Sequence, residues 1–181
     1  MEIYEDRKGY DYLVKFVHWI YRVCYRKIEY VNMDRIPQDA AIIYAPNHYN
    51  GLMDALAILL MNEPRKKVFV SRADIFHNHR IGAILRWMRI MPIHRVRDGL
   101  DQVRHNDATI QEAVRTLQHN IPFCIMVEGT HHADQQHILP LKKGIFRIAL
   151  QAKEAMGEKQ VYIVVFYSLL YIIRAKIQHT V

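Results

Sequence analysis

The chain has 181 residues, 51% of them hydrophobic and 24% charged, with a formal net charge of +7. That length is about one domain, read here as a single unit over 1–181, and the composition can bury a proper core. Cys24 and Cys124 show no metal or redox spacing and read as buried thiols in a reducing compartment, the segment Met1–Arg7 is too polar for a signal peptide, and the longest apolar run, the thirteen residues Val161–Ile173, is too short to span a bilayer.

In chain order, the first predicted element is an amphipathic helix over residues 10–28. Leu13, Phe16, Val17, Ile20, Cys24 and Ile28 fall on one face, and Asp11, Lys15, His18, Arg22 and Arg26 on the other, with Tyr10, Tyr12, Trp19, Tyr21 and Tyr25 interleaved. Such a helix can pack its apolar face on the domain core or lie in a membrane interface. Ala41–Tyr44 reads as a buried strand and Ala55–Met61 as a helix. Strands follow at Lys67–Ser71 and Arg89–Ile93, with a short helix at Ile81–Met88 between them. Asn106–His119 is a helix with Asn106 as its N-cap, Pro122–Val127 a strand, Lys142–Met156 a helix, and a last strand begins at Val161. This alternation predicts an α/β layered domain. Its central sheet is mixed but largely parallel, flanked by helices and preceded by the N-terminal amphipathic helix.

Charge is unevenly spread. Between Arg65 and Arg104, ten Lys or Arg residues face only Asp74, Asp98 and Asp101, so the remainder of the chain sums to neutral. A basic middle section suits phosphate headgroups, anionic lipid or nucleic acid, the alternative being a solvated basic face. No nucleic-acid motif accompanies it, so nucleic acid is not an expected partner. His77-Asn78-His79 and His131-His132-Ala133-Asp134, with His137, have the residue types of metal ligands, but the spacing is weakly specific and no metal site is expected.

Three strand-like runs end in chemically useful residues. The first leads into Asn47-His48-Tyr49-Asn50-Gly51-Leu52-Met53-Asp54, where a histidine lies between a strand and a helix with a carboxylate just beyond. An imidazole there can take a proton near neutral pH, and the carboxylate can fix its tautomer. A polar loop with a capping Asn is the alternative. The second run ends Ile93-His94-Arg95 and the third Val127-Glu128-Gly129-Thr130. In α/β sheets, sites gather at the carboxyl ends of strands, so His48, Arg95 and Glu128 are placed to converge at one edge.

In order and spacing these segments resemble the glycerolipid acyltransferases typified by lysophosphatidate acyltransferase. That family has an Asn-His, four residues, Asp motif, then an arginine after a strand, then Phe-Pro-Glu-Gly-Thr or close to it. Asn47-His48 and Asp54, Arg95, and Val127-Glu128-Gly129-Thr130 occupy those places, and Lys142-Lys143-Gly144 also looks like the family. The resemblance runs from about Tyr44 to Ala152. Two features depart from it. Five residues separate His48 from Asp54, and Val161–Phe166 lacks the proline of the fourth motif. In an unbroken helix the six-position offset would put the pair on different faces. Gly51 is the residue best able to absorb the extra position in a turn.

The resemblance implies acyl transfer from a thioester, acyl-CoA or acyl carrier protein, to the hydroxyl of a lysophospholipid, here 1-acylglycerol 3-phosphate, giving phosphatidate. It implies His48 as general base, Asp54 as its orienting partner, and backbone N–H groups of the next helix at the developing oxyanion. Arg95 would bind the acceptor phosphate, with Lys142 and Lys143 adding charge. Asn47, Glu128, Gly129 and Thr130 would shape the acceptor site. Neither cofactor nor metal is implied. The expected location is cytoplasmic, peripheral on the inner face of an anionic membrane. Other acceptors, such as glycerol 3-phosphate or another lysophospholipid, and a non-catalytic lipid-binding relative are the alternative readings.

Overall fold

The computed structural model describes residues 2–25, 27–48, 50–95, 106–129 and 141–167. The described strands are β1 (Ala41–Pro46), β2 (Val68–Arg72), β3 (Ile90–Ile93), β4 (Phe123–Cys124) and β5 (Val161–Phe166). The helices are α1 (Tyr10–Cys24), α2 (Leu52–Leu60), α3 (His79–Trp87), α4 (Asn106–Gln118) and α5 (Gly144–Met156). The strands form one sheet in the order β3-β2-β4-β1-β5. Every described pairing is parallel, so the antiparallel contribution expected of a mixed sheet is not present among the described residues.

β1 is uniformly apolar because it is covered on both faces, as a central parallel strand must be. Ala41, Ile43 and Ala45 turn to one side, where they meet Ile110, Val114 and Leu117 of α4 and Ile145 and Ile148 of α5. Ile42 and Tyr44 turn to the other, against Ile58 of α2 and Met61. The result is three layers, with α4 and α5 on one face and α2 on the other.

α1 forms a further layer outside α2. It ends at Cys24, with Tyr25 already extended, rather than running to residue 28. Its buried residues are Tyr10 and Tyr21. Tyr21 and Tyr25 pack with Ala57, Leu56 and Leu60, and the Tyr21 hydroxyl donates to Met53 O at 3.5 Å. At the other end, Tyr10 meets Trp87 edge-on at 6.4 Å and the Arg89 guanidinium at 5.3 Å. The predicted apolar face is split: Leu13, Val17 and Ile28 are partly buried, while Phe16, Ile20 and Cys24 are exposed. The helix rests on another helix, so contact is a narrow seam made by tyrosines, whose apolar rings and polar tips suit such a boundary. Cys24 is therefore not the buried thiol expected; Cys124 is, and burial pushes its thiol pKa up.

Other boundaries move for identifiable reasons. α3 starts at His79 because the Asn78 side chain accepts from Arg80 N (3.0 Å) and Ile81 N (3.4 Å), so the middle residue of His77-Asn78-His79 is a helix cap. β4 keeps only Phe123 and Cys124 of the expected six residues. Beyond them the Ile125 N–H still reaches Tyr44 O (3.0 Å), but the chain then turns at Val127–Gly129.

Much of the basic middle section is used internally. Lys66 pairs with Asp6 (2.8 Å) and Asp11 (3.2 Å), Arg65 and Lys67 with the buried Glu63 (2.6 and 3.5 Å), and Arg86 with Glu112 (3.3 Å). Arg72 pairs with Asp74, and the buried Arg89 donates to Glu5 O at 2.9 Å. These partners lie mostly outside the 65–104 window in sequence, which is why a count within the window misses them. Residues 96–105 lie outside the described residues. Among the described residues no helix is long and apolar enough to cross a membrane.

Candidate active site

β1 and β4 are neighbours, yet the chain leaves them toward opposite faces of the sheet. After β1 it enters α2, on the Ile42 and Tyr44 side; the next described element after β4 is α5, on the Ile43 and Ala45 side. Where adjacent strands feed opposite faces, a crevice opens outside their carboxyl ends. His48 is two residues past β1 and Glu128 four residues past β4, so the topology brings both to this crevice.

The first side of the crevice is a short turn. β1 ends at Pro46, and the buried Asn47 donates its N–H to Phe166 O of β5 at 3.1 Å. His48 therefore precedes the helix, which begins at Leu52, and Asp54 sits in its first turn. Gly51 joins them with φ 57° and ψ −121°. That conformation is essentially closed to residues with a Cβ. It takes up the extra position between the pair. His48 Nδ1 lies 3.5 Å from Asp54 Oδ2, with the carboxylate fully buried and the imidazole about one-fifth exposed.

A buried carboxylate needs donors, and Asn50 supplies two. Its N–H reaches Asp54 Oδ2 at 2.8 Å and its side-chain amide reaches Oδ1 at 3.4 Å. The first turn of α2 adds the favourable end of the helix dipole. Together these fix the orientation of the Asp54 carboxylate, as a partner for a proton-accepting imidazole needs.

The second side is the turn after β4. Glu128 is fully buried, and Gly129, at φ 67°, closes the turn with its N–H on Met126 O at 3.1 Å. A Cβ at Gly129 would meet Lys142 Cγ at 3.1 Å. The Lys142 N–H donates to Val127 O at 2.9 Å, so the stem of Lys142 lies across this turn. Lys142 and Lys143 are exposed just before α5, which starts at Gly144 rather than Lys142. Thr130 lies outside the described residues, as do His131, His132, Asp134 and His137.

Arg95 is on the same edge of the sheet but not beside His48. β3 and β1 are three places apart in the strand order, about 14 Å between backbones at ~4.8 Å per step. Arg95 is half-buried, and its charge acts on Asp74. The hydrogen bond from Arg72 and the charges of Arg72 and Arg95 hold the Asp74 carboxyl below its usual range.

The family model for Acyltransferase matches residues 27–168. The chain belongs to that family, the glycerolipid acyltransferases. Comparison with curated proteins and with solved structures returns no match. The matched span holds the whole described sheet and every site residue named above, and leaves α1 outside it.

In this acyltransferase, two residues of the site escape a reading of the sequence. Asn50 reads in the sequence only as part of the turn at Gly51, and its adjacency to that glycine is the available signal for a side chain turned back on the helix start. Asn106 is the first residue of α4, and its amide is not a cap. It holds the backbone of His94, accepting from His94 N and donating to His94 O, both at 2.8 Å.

The role of Gly51 can be measured. An added Cβ there meets nothing within 4 Å, so Gly51→Ala tests the backbone alone. We expect a loss of roughly 1–3 kcal/mol of stability, the usual cost of a side chain in such a conformation. Denaturant unfolding reads this directly. An unchanged midpoint would mean that the turn has an unstrained alternative.

Proposed function

We propose that this acyltransferase moves a fatty acyl group from an acyl thioester, acyl-CoA or acyl carrier protein, to the hydroxyl of 1-acylglycerol 3-phosphate, giving phosphatidate. The observation that carries the reading is the His48–Asp54 pair, with the imidazole ahead of the helix and the buried carboxylate 3.5 Å behind it. His48 Nδ1 is turned to Asp54, so Nε2 is the nitrogen for the acceptor hydroxyl. As the hydroxyl oxygen bonds to the thioester carbonyl carbon, its proton passes to Nε2. Collapse of the tetrahedral intermediate breaks the C–S bond, and the proton leaves with the thiol. A serine nucleophile is not required. Ser71 and Ser168 are the chain's only serines, and Ser71 lies within β2. Direct transfer is the simpler route for these residues.

Arg95 binds the acceptor phosphate in this reading, where a planar guanidinium can engage two oxygens. The acceptor then spans part of the sheet edge, its phosphate toward β3 and its hydroxyl toward β1. Glu128, Gly129 and Lys142 shape the wall between. Thioester consumption measured with a panel of acceptors tests the assignment: lysophosphatidate, glycerol 3-phosphate, other lysophospholipids and a phosphate-free monoacylglycerol. Arg95→Ala should raise the apparent KM for lysophosphatidate roughly ten- to hundredfold, the worth of a charge-assisted contact, and leave that for the thioester nearly unchanged. An effect confined to the thioester would overturn it.

The acyltransferase works at the surface of an anionic membrane, on its cytoplasmic face. This rests on α1, whose outer side exposes Tyr12, Phe16, Trp19 and Val23, alongside Lys15 and Arg22. Aromatic and basic side chains on one exposed helix suit the boundary between headgroups and acyl chains. Co-sedimentation with vesicles containing phosphatidylglycerol should weaken as salt rises, because the charge contribution is screened. Phe16→Ser with Trp19→Ser should reduce binding at every salt concentration. Absence of binding to both neutral and anionic vesicles at low salt would remove the membrane assignment.

A further inference from the structure

Among the described residues β3 is the last strand in the sheet order, paired with β2 alone. Arg89 O accepts from Phe69 N of β2 at 2.9 Å, so along β3 the odd-numbered residues direct their backbone groups to β2. The even-numbered ones direct theirs outward. Pro92 fits an outward place because it has no N–H to leave unpaired. Its carbonyl, and both backbone groups of His94, face away from the sheet.

Two side chains of α4 meet all three groups. Asn106 takes the N–H and the C=O of His94 at 2.8 Å each, and the Thr109 hydroxyl donates to Pro92 O at 2.9 Å. Asn106 and Thr109 are three apart, hence on one face of the helix, and both are buried. An amide can do this because it carries a donor and an acceptor side by side, the same pair that a neighbouring strand would offer. The open edge of β3 is thus completed by side chains just where the strand ends, one residue before Arg95.

We infer that Asn106 and Thr109 are positioning residues for acceptor binding, holding the end of β3 so that Arg95 is presented to the acceptor phosphate. Neither touches the acceptor. An unsupported edge-strand end opens readily, because few contacts oppose it, and an arginine on a loosened backbone spends part of its binding energy on ordering that backbone. The inference rests on the phosphate-binding reading of Arg95 given above.

The test is a cycle of four proteins: wild type, Arg95→Ala, Asn106→Ala and the double variant. Each is assayed for apparent KM with lysophosphatidate, with monoacylglycerol and with the thioester. Asn106→Ala should raise the KM for lysophosphatidate roughly five- to thirtyfold, in line with two lost hydrogen bonds. It should leave turnover and the other two constants within about twofold. In the Arg95→Ala background it should add little, because the group it positions is gone. Equal damage to all three constants, or a full additional effect in the absence of Arg95, would overturn the inference and leave Asn106 a purely structural residue. Should Asn106→Ala not fold, Thr109→Val carries the same cycle, with a smaller shift of about two- to fivefold for one lost hydrogen bond. If Arg95→Ala itself leaves lysophosphatidate binding intact, the functional reading of Arg95 falls, and this inference falls with it. If Arg95→Ala matters and neither α4 variant does, only the inference falls.

Discussion

Replacing His48 by alanine should lower turnover by roughly two to four orders of magnitude, the usual worth of a well-placed general base. The acceptor hydroxyl would then have to lose its proton to water within a crevice at the sheet edge. Apparent KM values should change little, because the imidazole's gain comes as the proton moves. The fold should survive. His48 lies beyond the end of β1 and is partly exposed, and Asp54 keeps both hydrogen bonds from Asn50 when the imidazole is gone. Circular dichroism and a thermal melt establish that the variant is folded, and steady-state thioester consumption gives the turnover. A well-folded His48→Ala protein with near-normal turnover would falsify the assignment of His48 as base.

Asp54→Asn should cost about ten- to a thousandfold in turnover. The substitution is nearly isosteric, and the site can accommodate its shape. The amide oxygen can take the place of Oδ2, which receives the Asn50 N–H, and the Asn50 side-chain amide can flip to accept from the new NH2. What disappears is the negative charge behind the imidazole. Two unit charges about 4 Å apart near a protein surface interact by about 4 kcal/mol, which sets the upper end of the range. The imidazolium that forms as His48 takes the proton loses that stabilisation, so the effect falls on the chemical step. Stability should fall far less than for Asp54→Ala, which would strand the Asn50 donors in a buried place. If Asp54→Asn keeps full turnover while His48→Ala does not, the carboxylate is an architectural group and the base acts alone.

The fold class, the order of elements and the three strand-end motifs are legible in the chain, and each has a local cause. Ala41-Ile42-Ile43-Tyr44 is apolar at every position because β1 is covered on both faces. The alternation of such runs with helical periodicity points to largely parallel strands with helices between, and leaves open the antiparallel contribution that the described sheet lacks. The first-motif turn is also local. A six-position offset between His48 and Asp54 cannot lie in one helix, and Gly51 is the residue that can break the path, so the backbone there follows from sterics within eight residues.

What tertiary structure alone decided concerns partners far away in sequence. Periodicity marks an apolar stripe on α1 but cannot say what covers a stripe. Tyr10 and Tyr21 are buried because α2, Trp87 and Arg89 meet them, while Phe16 and Ile20 are left outside. The excess charge in residues 65–104 looked free because its counter-charges, Asp6, Asp11 and Glu112, come from other parts of the chain. Asn106 read as a cap because a cap needs only its own helix, whereas its amide is spent on His94, twelve residues earlier. The spacing of Arg95 from His48 depends on strand order, since β2 and β4 stand between β3 and β1. Hydrophobic period and turn sterics act over a few residues and can be read along the chain. Ion pairs, amide clamps and strand neighbours depend on which segments the packed core brings together, and only the folded arrangement determines that.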